Sequence, residues 1–251
     1  MRALVACLLA LSLLTSCAGG HPLDRMKSGI SRFAEDKFRN SLAGQLVKGL
    51  GQGIHLVANE LSRPGGYLDN PLVRILLPPP VNLALGLIRD IQARPDVNPL
   101  LLVMNRAAET AVPGAVPVLL SALDQIDAIR ARGLLDAGKT AATDYLKEQT
   151  ESKLKESLAP VVMESLAKNS GLAQYGQLLA ALHAQRQVRE PDPAAPPTFD
   201  EPQVDLVDYV TQQTVNGLFK AIGVEEERIR NELDRSELDL PEMLKPSESR
   251  S

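Results

Sequence analysis

Apolar residues recur at three- and four-residue steps along most of the chain, a period that predicts helices rather than strands. Between about Ser31 and Arg63 the stripe consists of Leu42, Leu46, Leu50, Ile54, Val57 and Leu61, interrupted by Gly44, Gly49, Gly51 and Gly53. Glycine costs a helix about 1 kcal/mol relative to alanine, so this cluster predicts close approach of another helix. Pro64-Gly65-Gly66 stops the element, and Asn70-Pro71 holds the next residues extended. The run "ILLPPPV" reads as a short extended piece leading into a helix at 81–93.

A further helix is expected at 98–112, with Pro99 in its first turn and Pro113-Gly114 at its end. "GAVPVLLSALDQI" and "IRARGLLDAG" read as two shorter helices. From about Thr140 a long helical stretch places Ala142, Tyr145, Leu154, Leu158, Val161, Val162 and Leu166 on or near one face, and Pro160 predicts a kink or a split. "GLAQYGQLLAALHAQRQV" continues as another helix. Residues 188–203 form a proline-rich connector, and a last helix over 204–233 turns Leu206, Val207, Val210, Leu218, Phe219 and Ile222 inward. A disordered tail is expected over 240–251. The expected fold is all-α: an irregular multi-helix bundle forming a single domain over residues 26–239, with the proline-rich strap before its last long helix. The segments share no fixed-period repeat, so a solenoid is not supported.

The amino terminus follows another pattern. Behind Met1 and Arg2, "ALVACLLALSLL" carries no charge over twelve residues. That is the length of a signal-peptide core and too short to cross a bilayer. Leu14-Thr15-Ser16-Cys17 resembles a bacterial lipobox: an aliphatic residue, two small ones and the cysteine that receives the lipid. The alternative is an ordinary cleavage site beside an incidental cysteine. On the first reading residues 1–16 are the signal peptide, Cys17 is the lipidated first residue of the mature chain, and residues 17–25 are a short tether. Two or three acyl chains, at about 0.8 kcal/mol per buried methylene, would make such an anchor nearly permanent. Ala18 in place of aspartate resembles the signal that sends lipoproteins to the outer membrane. The expected location is thus the periplasmic side of the cell envelope, with the membrane as partner through Cys17 and an envelope protein as a second partner.

Composition narrows the function. Residues 1–16 hold one arginine and no acid, so their removal takes the net charge from −4 to −5. An acidic chain offers no electrostatic footprint for nucleic acid. Aromatic residues make up only 3% and tryptophan is absent, which favours packed aliphatic helices and gives sugars no stacking platform. Cys7 and Cys17 are the only cysteines, so the mature chain forms no internal disulfide and stands on its hydrophobic core.

Few motifs carry chemistry. His21, His55 and His183 are scattered, with no metal-binding spacing, and no cofactor is expected. The chain lacks a nucleophile elbow, and "GLGQG" lacks the lysine of a phosphate loop, so no catalytic residue is assigned. The notable polar cluster is "MNRAAE", where Asn105, Arg106 and Glu109 fall three and four residues apart on one helical face. It reads either as a buried or cleft-lining constellation that could hold an anionic or hydrogen-bonding ligand or, in the commoner case, as an ion pair on a solvated face. Glu226 and Arg230 in "EEERIR" are likewise expected on a solvated helical surface. Tyr67, Tyr145, Tyr175 and Tyr209 are expected in the core with satisfied hydroxyls.

Several segments in consistent order, "LSRPGGYLDNPLVRILLPPPV", "MNRAAETA", "AATDYL" and "VDYVTQQTVNGLFKAIGVEEERIR", resemble the bacterial family called domain of unknown function 4197. The resemblance implies an exported, mainly helical protein, often with a lipoprotein signal, and brings no reaction, ligand or catalytic residue. The chain departs from it at the end, where "DLPEMLKPSESRS" replaces an apolar tail. The function expected is that of a non-catalytic binding or scaffolding lipoprotein. The alternatives are a carrier or sensor of a hydrophobic ligand, or a carboxylate-dependent hydrolase using Glu109 or Glu226.

Overall fold

A computed structural model describes residues 22–78, 98–188 and 204–243. They form α1 (Pro22–Leu61), α2 (Asn98–Ala111), a 3-10 turn (Val112–Gly114), α3 (Ala115–Leu123), α4 (Ala128–Asp136), α5 (Ala141–Lys168), α6 (Gly171–Val188) and α7 (Leu206–Met243). The fold is all-α, with no strand among the described residues. The signal segment, most of the tether, the helix expected at 81–93 and most of the proline-rich connector lie outside them.

α1 begins about nine residues earlier than its apolar stripe predicts. Pro22 suits a first turn because its missing N–H would have no intrahelical partner there. The helix runs through the boundary between two compact units, Met1–Leu42 and Ala43–Ser251. In the second unit α5 is the central element, packing against α7, α2, α3, α6 and α4. Its Leu146, Leu154, Leu158, Val162 and Leu166 are wholly buried, as the helical period requires.

Two expectations are corrected. Of the kink or split expected at Pro160, the split does not occur: α5 is one uninterrupted helix. Pro160 and Glu156, whose carbonyl loses its usual donor, both lie on the exposed face of the helix, where the missing N–H leaves no buried group unpaired. α7 extends to Met243, so residues 240–243 are helical rather than part of a disordered tail; no glycine stop lies between Val224 and Met243.

The glycines of α1 behave as expected at two positions. A β-carbon on Gly49 would sit 2.9 Å from Ile229 Cγ2, and one on Gly53 would sit 2.7 Å from Glu225 Cγ. α7 therefore lies against α1 closer than a side chain allows. Gly44 has nothing within 4 Å and serves no such contact.

Candidate functional site

The polar cluster of α2 is turned inward. Asn105 and Glu109 are buried, and only Arg106 keeps substantial exposure. The Asn105 carboxamide acts as a stretch of backbone would: Oδ1 accepts the Ile75 N–H at 2.9 Å, while Nδ2 donates to the Ile75 carbonyl at 2.9 Å and the Leu101 carbonyl at 2.8 Å. Glu109 Oε1 accepts the N–H groups of Gly65 at 3.0 Å and Tyr67 at 3.2 Å, and Oε2 takes the Arg106 guanidinium at 2.6 Å. Gly65 has φ +89°, a left-handed conformation that the turn requires and that glycine adopts without penalty. The solvated-face expectation is thus corrected at both Asn105 and Glu109. Their partners are the turns that follow α1, and an apolar replacement would leave those backbone groups unpaired.

The same turns are held from the other side by α7. Tyr67 is buried and its hydroxyl donates to the Thr214 carbonyl at 2.8 Å. Its ring lies where a β-carbon on Gly217 would be, 2.9 Å from Cε1. Burial first, and the nearby Glu109 carboxylate second, push the Tyr67 hydroxyl well above its ordinary value of 10.0. Tyr209 donates to the Leu76 carbonyl at 3.0 Å. Tyr67 meets the expectation of a core residue with a satisfied hydroxyl; Tyr209 meets only its second half, since the residue is half-buried. Tyr175 departs from it: the residue is buried and its hydroxyl has no partner among the described residues. Tyr145 is half-buried, with the Arg130 guanidinium 5.1 Å from its ring centre.

Glu226 and Arg230 also depart from the solvated surface expected of them. Glu226 is wholly buried and Arg230 nearly so. Glu226 accepts the N–H groups of Ala142 at 3.0 Å and Thr143 at 2.7 Å, together with the Thr143 hydroxyl at 2.7 Å. It caps the first turn of α5 in place of Thr140, whose own side chain makes no capping bond. Arg230 holds Glu226 Oε1 through Nε at 2.9 Å and Nη2 at 2.6 Å, and donates to the carbonyls of Leu134 and Leu135 at the end of α4. One ion pair on α7 therefore satisfies the acceptors that end α4 and the donors that begin α5. Proximity of Glu226 and Arg230 was readable from their four-residue spacing. Their burial was not, because the groups they serve are distant in sequence.

In front of this joint, α5 and α7 border an open cleft of about 510 Å³. Its walls carry Thr140 just before α5, Thr143, Asp144 and Lys147 from α5, and Gln213, Asn216, Phe219, Lys220, Gly223 and Glu227 from α7, with Leu72 and Val224 at the apolar side. Sequence reasoning passed over these residues. Their signal is a stripe on α7, polar at 213, 216, 220 and 227 with a glycine at 223, which repeats the three- and four-residue step on a second face. A second cleft of about 500 Å³ lies between α1 and α7, where Glu225, Arg228 and Glu232 already pair with one another.

The family model described as "Protein of unknown function (DUF4197)" matches residues 14–242. The chain belongs to this family. The DUF4197 match includes both buried networks and the whole α5/α7 cleft, so the likeness read from short segments extends over nearly the entire chain. No curated protein and no solved structure matches the chain.

Proposed function

We propose that this DUF4197 member is a lipid-anchored protein of the bacterial cell envelope whose helical domain binds a partner or ligand on the periplasmic side without catalysis. The observation that carries the binding reading is the contrast between the two kinds of polar group. The carboxylates a hydrolase would use, Glu109 and Glu226, have both oxygens engaged by backbone N–H groups and arginines of their own chain. The residues facing open space belong to the α5/α7 cleft, whose size falls within the range of small-ligand sites. Its charged walls suit a polar occupant better than the purely hydrophobic ligand of a carrier.

The anchoring half rests on Leu14-Thr15-Ser16-Cys17 behind an uncharged core of signal-peptide length. Ala18 supports the outer membrane as destination. Cys17→Ser should abolish labelling by an alkyne fatty acid and move the protein out of the membrane fraction. Label that persists on the variant would refute the anchor.

A further inference from the structure

We propose that the α5/α7 cleft binds a zwitterionic ligand of the short-peptide class, its carboxylate at Lys147 and Lys220 and its ammonium toward Asp144 and Glu227. The proposal rests on the non-catalytic binding reading and gives it a substrate class.

Two ties fix how the helices meet. Thr143 bonds to Glu226 at one end, and Gln212 Nε2 donates to Glu151 at 3.1 Å at the other. Rising numbers on α5 meet falling numbers on α7, so the helices run antiparallel. Lys147 lies midway between Thr143 and Glu151, Lys220 lies midway along the matching stretch of α7, and both line the cleft. Asp144 and Glu227 adjoin Thr143 and Glu226, at the capped end. Both signs thus line one groove: on α5 Asp144 and Lys147 are three residues apart, and on α7 Lys220 and Glu227 are seven apart.

These charges differ from the others on the same helices. Glu151 pairs with Lys155, Glu164 with Lys168, and Arg228 with Glu225 and Glu232. Among the described residues, Asp144, Lys147, Lys220 and Glu227 make no ion pair; Asp144 accepts only the Thr140 hydroxyl at 3.2 Å, and Lys147 feels Glu151 through space. Asn216 accepts from Gln212 through Oδ1, which leaves its NH₂ to donate beside the lysines. The lining is neutral overall, which suits a ligand carrying both signs better than a simple anion.

Length selects the class. Seven helical residues separate Lys220 from Glu227, about 10.5 Å at 1.5 Å per residue. An extended chain covers about 3.5 Å per residue, so three residues bridge the two charges. Between them the cleft presents exposed Val224, with no side chain at Gly223, a surface for an apolar middle residue.

The test titrates the full chain, purified in detergent, with the tripeptide Ala-Leu-Ala by calorimetry. Saturable binding is expected, weakened about two- to fivefold when either end is capped, as for one solvent-facing charge pair. Lys220→Gln should weaken the free peptide but leave the C-terminal amide much less affected, and Glu227→Gln should do the same for the free peptide against its N-acetyl form. Both residues are exposed, so thermal unfolding of the variants should match the parent. Absence of saturable binding, equal binding of the doubly capped peptide, or inorganic phosphate binding as well as the peptide would each overturn the assignment. The anchor is read separately by Cys17 labelling, so failure of the ligand class and failure of the envelope reading are distinguishable.

Discussion

A buried charge is tolerated only when its surroundings replace the water it has lost, and Glu226 shows how completely that replacement can be made. Its two oxygens serve two backbone N–H groups, a hydroxyl and a guanidinium. Glu226→Ala would leave Arg230 buried without its counter-charge and two donors of α5 unpaired. We expect a loss of about 3–5 kcal/mol, read as a lowered urea midpoint. Glu226→Gln keeps one acceptor and should cost less, about 1–3 kcal/mol. At alkaline pH the informative residue is Tyr67. Its raised folded value means that the folded state holds the proton more tightly than the unfolded chain, so its stabilising contribution is full below 10.0 and is lost as pH rises through the folded value. Ultraviolet titration should show Tyr67 ionising only as the protein unfolds, and Tyr67→Phe should remove that delayed step.

At the scale of the element, the glycines separate into two kinds that composition alone does not distinguish. Gly217→Ala would press a methyl group against the Tyr67 ring and Val73 Cβ, both held in place, and should cost about 1–3 kcal/mol. Gly44→Ala meets nothing and should gain up to about 1 kcal/mol from helix propensity. Thermal melts of the two variants should shift in opposite directions. The same contrast explains what was legible in the sequence. Stripes such as Leu46, Leu50, Ile54 and Leu61 are local and regular, so helix positions and inward faces were readable. The course of α5 through Pro160 was not, since it depends on which side of the helix faces water. Nor was the burial of Glu109 and Glu226, because a carboxylate three or four residues from an arginine looks the same on a solvated face as in a core. Their partners, Gly65, Tyr67, Ala142 and Thr143, are joined to them only by the tertiary fold.

On the scale of the whole molecule, the most distant parts of the described chain are tied by few but well-placed contacts. α7 reaches α1 at Gly49 and Gly53, the turns after α1 through Tyr67, and the α4/α5 junction through Glu226 and Arg230. A chain ending at residue 220 should therefore lose cooperative unfolding altogether rather than melt at a slightly lower temperature. Circular dichroism against urea would show a broad, shallow transition in place of a single steep one.

The cap that α7 places on α5 also sets an order of events. Ala142 waits for a carboxylate 84 residues further along the chain, so the α4/α5 joint cannot close on a nascent polypeptide until its last helix has been synthesised. On the proposed envelope reading, in which the chain crosses a membrane as an open strand, such a delay would keep the joint unlocked until α7 had followed.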